Sequence, residues 1–192
     1  MIPGDPDAAL LARAVEGDGD AFSELMHRHE DRVFAVCLRI TGDREAALDA
    51  AQETFLTLFR KGHQYRGAAA VSTWLYRVAV NSCYDQMRRS RRRPTEPLPE
   101  QYEPADPGSD RDFELIDSSP AVEAALAELS PEFRAVIVLG DINGYGLNEM
   151  AEMLEIPVGT VKSRLFRARR QLAPLLGNHS DARRHPSDGD HD

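Results

Sequence analysis

The sequence predicts an all-α protein: two small helical domains joined by a flexible, acidic, Pro-rich linker, the C-terminal domain containing a helix-turn-helix. Three observations lead there. Neither half shows the alternating β-branched runs of strand, so both read as helical. Six prolines (94, 97, 99, 104, 107 and 120) fall within 94–120, where apolar periodicity is weak, and this divides the chain. Residues 149–170, EMAEMLEIPVGTVKSRLFRARR, set out a short helix, a tight turn and a basic second helix.

Local signals give each element in order. A first helix spans about 7–16 and stops at the Gly-Asp-Gly-Asp turn of 17–20. Asp20 is the expected cap of the second, whose Phe22, Leu25, Met26, Val33, Val36, Cys37 and Ile40 form a broad apolar stripe. Gly42 ends it, and Asp43 caps a third helix reaching about Lys61. After a loop at 62–71, Ser72 or Thr73 starts a long helix to about Arg91. Beyond the linker, Ser119-Pro120 and Ser130-Pro131 each place a capping residue before a proline, the signature of a helix start. Leu147, Met150, Ala151 and Leu154 recur at helical spacing and begin at Gly146 or Asn148, with Pro157 at the start of the last helix. Glu155 stands where a helix-turn-helix often places glycine at positive φ, so some strain is expected there. Gly177 marks the end of folded structure. The domains are therefore 7–93 and 120–176, with a linker at 94–119 and a disordered tail at 177–192.

Charge is distributed by segment. The chain of 192 residues has a net charge of -9. Yet 158–172 carries five cations (Lys162, Arg164, Arg167, Arg169, Arg170) and no carboxylate, and 77–93 carries six arginines against Asp85. Between them, 94–132 holds eleven acids and one arginine. Overall acidity therefore does not argue against a polyanionic partner.

Helical geometry places Val161, Leu165, Ala168 and Leu172 on a narrow buried stripe. The opposite face presents Ser163, Phe166 and Arg170, flanked by Lys162 and Arg167. An exposed ring among cations suits a DNA major groove, where it can lie on thymine methyls or deoxyribose. The helix at 72–91 interleaves Trp74, Tyr76, Arg77, Tyr84, Arg88 and Arg89 with Asn81, Asp85 and Gln86. Such a surface suits unstacked bases, with phosphates held by arginines. Taken alone, Trp74 reads as core.

Other classes are disfavoured. No run approaches eighteen apolar residues, and the N-terminus has acids where a signal peptide has cations, so a cytoplasmic protein without membrane insertion is expected. Cys37 and Cys83 lack a CxxC partner and read as buried thiols. Metal spacing, a nucleophile–base pair and a phosphate-binding glycine loop are missing, so neither a metal nor another cofactor, nor enzymatic activity, is expected. The competing binding-module reading is a dimeric operator-binding regulator with a sensor domain. It leaves the arginine–aromatic helix without a purpose.

Three segments, DAAQETFLTLFR (49–60), YRG with STWLYRVAVNSCYDQMRR (65–89), and LSPEFRAVIVLGDINGYGLNEMAEMLEIPVGTVKSRLFRARRQL (129–172), resemble bacterial sigma factors of the extracytoplasmic-function group, the minimal two-domain form of the sigma-70 superfamily. The resemblance spans about 8–176. It implies a transcription initiation factor that binds core RNA polymerase, at the clamp of the largest subunit and the flap of the second largest, and directs it to promoter DNA. Asp49, Gln52, Glu53, Phe55, Leu56 and Phe59 match the polymerase-docking segment. Tyr65, Arg66, Trp74, Arg77, Asn81, Asp85, Arg88 and Arg89 match the region that captures the melted minus-10 strand, although its loop is AlaAlaAlaVal here. Thr160, Lys162, Ser163, Arg164, Phe166, Arg167 and Arg170 match the reader of the minus-35 duplex. The family also implies an anti-sigma partner. For the acidic linker, two readings stay open: a solvated spacer, or a segment that occupies a basic channel of the polymerase.

Overall fold

Capping chemistry sets the helix starts in the computed structural model, which describes residues 5–92 and 120–181, with side chains described over 5–90 and 120–176. Helix α1 (Pro6–Val15) begins at Asp5, whose carboxylate accepts from the Asp7 N–H at 3.1 Å. Helix α2 (Gly19–Thr41) is capped by Asp18 rather than by Asp20. Gly17, at φ +98, turns the chain early, and Arg13 donates two hydrogen bonds that hold the Asp18 carboxylate against the Ala21 N–H. Gly42 closes α2 in the left-handed conformation, and Asp43 caps α3 (Arg44–Lys61), as expected. A single 3₁₀ turn at 62–64 leads to the loop before α4 (Val71–Arg92), which starts at Val71 instead of Ser72 or Thr73.

In the C-terminal half, α5 (Pro120–Ala127) is followed by α6 (Pro131–Ile137), capped by Ser130. A π turn at 138–142 and Gly144 at φ +74 separate α6 from α7 (Leu147–Leu154). Gly146 opens α7, and the Glu149 carboxylate reaches back to accept its N–H at 2.8 Å. Glu155 takes φ +53, the only positive φ at a non-glycine residue among those described, so the expected strain is present. Pro157 sits one position before α8 (Val158–Asp181), its carbonyl accepting from the Thr160 and Val161 N–H groups. The backbone of α8 continues past Gly177. The linker, 94–119, and residues 182–192 lie outside the described residues.

Helices α2, α3 and α4 pack together with α1 laid across α2 and α4; α8 is the centre of the second half, against α5, α6 and α7. The apolar stripes predicted for α2 and α8 are buried, including Leu25, Val33, Val36 and Ile40, and Val161, Leu165, Ala168 and Leu172. Cys37 and Cys83 are buried free thiols; their contact, together with burial, pushes the Cys83 thiol well above its ordinary range, which makes it inert. Tyr76, one of the aromatic residues of the basic helix, is core, and burial beside Tyr145 raises its phenol pKa strongly.

The two halves are also packed on each other, which the linker composition did not reveal. Helix α4 lies against α7, and α2 against α5 and α6. Tyr76 meets Tyr145 edge-on at 5.4 Å, and buried Arg39 pairs with Glu123 at 3.1 Å. The strongest junction is Arg134. Its buried guanidinium donates to the carbonyls of Leu126, Ala127 and Leu129, at the end of α5, and to that of Ile40, near the end of α2, at 2.8–3.1 Å. A Cβ on Gly42 would stand 3.0 Å from Arg134 Nη1, so this glycine serves both the positive φ and the close approach.

Arg134→Ala leaves those buried carbonyls without donors and is expected to cost about 3 kcal/mol in urea unfolding. Gly42→Ala is expected to cost about 1–2 kcal/mol, from its φ and its crowding of the guanidinium.

Candidate nucleic-acid interface

The turn between α7 and α8 places the exposed face of α8 outward. Its buried stripe anchors the helix to α6 and α7, leaving Lys162, Ser163, Phe166, Arg167 and Arg170 exposed on the other side. Phe166 is 62% exposed, a large apolar area to leave in water. The Arg170 guanidinium lies over its ring at 5.8 Å, so the two form one amphipathic unit. Ser163 Oγ donates to the Thr160 carbonyl at 3.0 Å, which keeps its hydroxyl lone pairs available as acceptors. Thr160 itself is half-buried. Two cations of this helix are directed elsewhere. Arg169 donates two hydrogen bonds to Asp141, and that carboxylate raises its pKa. Arg164 is half-buried towards α4, where its charge acts on the buried Tyr84 hydroxyl; burial pushes that phenol up to about 12.

On α4, Trp74, Arg77, Asn81, Asp85 and Arg88 fall within about 80° of arc at 100° per residue, with Arg89 at the margin. Asn81, Asp85, Arg88 and Arg89 are exposed, and Arg88 pairs with Asp85 within the helix. Trp74 and Arg77 are half-buried, and Tyr65 meets the Trp74 ring edge-on at 6.3 Å. The Tyr65 hydroxyl donates to the Ala69 carbonyl at 2.6 Å and folds the alanine loop back on itself. Trp74 is therefore neither pure core nor a free platform.

The inner end of this face is covered. A cavity of about 480 Å³ is lined by Tyr65, Arg66, Trp74 and Arg77 on one side and by Ala151 and Glu152 of α7 and Glu155 just past its end on the other. Arg77 Nε lies 4.0 Å from Glu155 Oε1. Two carboxylates and two arginines thus line the same cavity. The sequence marks Glu155 only for its strain and Glu152 not at all, because their meeting with α4 depends on a contact between distant segments.

The α3 face differs in one residue from the expected docking strip. Asp49, Gln52, Glu53, Leu56 and Phe59 are exposed, Phe59 at 71%, whereas Phe55 is buried with Ala51 and Leu58. Phe55 is a core residue because its Cβ points to the side of α3 that packs on α2 and α4. Leu48, exposed one turn before Gln52, extends the apolar strip and was overlooked. Phe59 is steadied edge-on against Phe22 at 5.5 Å. Among the described residues no group of His, Cys, Asp or Glu is arranged to hold a metal ion, and no helix is long and apolar enough to cross a membrane.

Known proteins match both halves. The family model described as Sigma-70 region 2 matches residues 25–93, and that described as Sigma-70, region 4 matches 119–172. The ECF RNA polymerase sigma factor SigM of Mycobacterium tuberculosis is 42% identical over 171 residues, covering 89% of this chain and 85% of that protein. Among solved structures, CnrH in complex with the cytosolic domain of CnrY is 27% identical, with a TM-score of 0.64 over 90% of this chain and 97% of that one. The sigma factor RpoE in complex with the anti-sigma factor NepR, from Bartonella quintana, shares the fold at 24% identity and a TM-score of 0.65, over 81% and 96% of the two chains. With both halves matched in order, and a relative this similar over nearly its whole length, the chain belongs to the sigma-70 family of transcription initiation factors, in its ECF group.

Proposed function

We propose that the chain joins core RNA polymerase through the outer strip of α3 and reads promoter DNA at two points. The exposed face of α8 reads the minus-35 duplex, with Lys162, Arg167 and Arg170 on phosphates or base edges and Ser163 and Phe166 in the groove. Tyr65, Arg66, Trp74, Arg77 and the exposed face of α4 take the melted minus-10 strand. The observation that supports this best is the Phe166–Arg170 unit: an exposed aromatic ring under a guanidinium, among cations, on the second helix of a helix-turn-helix. Run-off transcription with core polymerase tests the reading, on promoters recovered by holoenzyme selection from a random-sequence duplex library. No promoter-specific product would sink it.

Two consequences follow from the closed arrangement. Strand capture needs α7 to move off Trp74 and Arg77, whereas the α8 face is already open. Polymerase docking, which would hold the two halves apart, is the step that supplies this. CnrH, solved in complex with the cytosolic domain of CnrY, supports a protein partner for this chain as well, in line with the anti-sigma partner that the family implies.

Arg167→Ala is expected to weaken minus-35-dependent initiation by about 1–3 kcal/mol and to relax preference at one base pair, read by transcription from minus-35 variants. Uniform weakening across the variants would make Arg167 a phosphate contact. Leu56→Ala and Phe59→Ala are expected to lower polymerase affinity about ten-fold without loss of helicity. Phe55→Ala is expected instead to cost about 3 kcal/mol of stability, separating core from docking strip by thermal melting and polymerase binding together. For the cover over the strand face, Glu152→Gln with Glu155→Gln is expected to raise binding of the free chain to single-stranded oligonucleotides about two- to five-fold, measured by fluorescence anisotropy.

A further inference from the structure

Helix α4, which carries the proposed strand-capture face, starts without a cap of its own. Ala70 occupies the cap position: its carbonyl accepts from the Trp74 N–H at 3.1 Å, but its methyl offers no acceptor to the first-turn N–H groups. The missing acceptor comes from the other end of the chain. Asp5 Oδ2 accepts from the Val71 N–H at 2.9 Å, across 66 positions, while its Oδ1 accepts from the Asp7 N–H and caps α1. One carboxylate therefore closes two helix N-termini and sets a negative charge at the positive end of both dipoles.

Asp5 is itself held firmly. The neighbouring Asp7 carboxylate meets buried His29 Nε2 at 2.7 Å and accepts from Arg28 at 3.2 Å, and Leu11 of α1 is buried in the core. Asp5 also lies beside Tyr65. Burial first, and the Asp5 charge second, hold the Tyr65 phenol above its ordinary value. The loop between Tyr65 and Val71 contains Gly67 at φ +69 and three alanines, none with a side chain able to fix its shape. Its form rests on the Tyr65 hydroxyl at one end and on Asp5 at the other.

We propose that Asp5 is a positioning residue for promoter melting: by capping α4 from a distance, it fixes the Tyr65–Trp74 platform and the alanine loop in the shape that receives the melted strand. This rests on the strand-capture reading above. The test compares the unchanged chain, Asp5→Ala, and Asp5→Ala combined with Ala70→Ser, which restores a side-chain acceptor at the local cap position. Each is assembled with core polymerase on promoter DNA recovered by the library selection. Permanganate reactivity of unpaired thymines reads melting, and retention of a duplex cut to the minus-35 end reads upstream binding. Asp5→Ala is expected to reduce the melted fraction about five-fold, the effect of losing one helix cap, with upstream retention unchanged. Ala70→Ser is expected to restore most of it. An unchanged melted fraction, a parallel loss of upstream retention, or no rescue would overturn the proposal; the last would mean that Asp5 only anchors α1. Absence of melting by the unchanged chain on every recovered promoter would overturn the strand-capture reading itself.

Discussion

A buried guanidinium answered only by carbonyls governs how this chain is put together. Among the described residues Arg134 has no carboxylate at hydrogen-bonding distance; its hydrogen bonds go to carbonyl oxygens near the ends of α5 and α2. Burial lowers its pKa, the mark of a charge whose lost hydration is not fully replaced. Helix C-termini offer the compensation, since several orphan carbonyls and the negative end of a dipole converge at each. The consequence is geometric. Once the charge is buried, α5 and α2 must end close to the same point, a side chain on Gly42 would crowd the guanidinium, and the two halves are brought face to face.

From that junction the other contacts follow. Arg39–Glu123 lies along the same seam, and Tyr76 meets Tyr145 where α4 passes the turn before α7. Closure treats the exposed faces of α4 and α8 differently. The α8 face stays exposed. The inner end of the α4 face lies in the seam, beneath Glu152 and Glu155. An exposed ion pair such as Arg77–Glu155, at 4.0 Å, contributes little to stability by itself. The closure is held by buried contacts, to which the Arg77–Glu155 pair adds little.

Much of the helix pattern was legible because caps and apolar stripes are local. Asp43, Gly42 and Ser130 act where their residue types suggest, and Glu155 shows the strain expected of its position. The misreadings have tertiary causes. Asp18 and Asp20 are equivalent in a Gly-Asp-Gly-Asp run, and Arg13 in the preceding helix decides between them. Phe55 and Phe59 are one turn apart on α3, and only the packing of α2 and α4 shows that one is core and the other exposed. Ser72 and Thr73 were natural helix starts, but α4 begins at Val71 because a carboxylate 66 positions away caps it. The candidate α8 face was read almost whole from the sequence, since a helix with a buried stripe has a defined outer side. The cover over α4 was not, because nothing in Glu152 or Glu155 indicates which distant residue each will meet.

Glu155 joins the local and the long-range arguments. A glycine there would relieve a left-handed conformation costing about 1–2 kcal/mol for an L-residue. Its side chain returns only an exposed ion pair, too weak to offset that cost. Stability alone therefore does not account for a carboxylate at this turn. The conformation does fix the direction in which α7 ends, and so keeps the carboxylate beside Arg77 and the cavity that Trp74 lines. Strain at this turn and a carboxylate beside Arg77 are two properties of one residue. A substitution that relaxes the turn also removes the charge, and no exchange at this position separates them except one that keeps the left-handed backbone while neutralising the side chain.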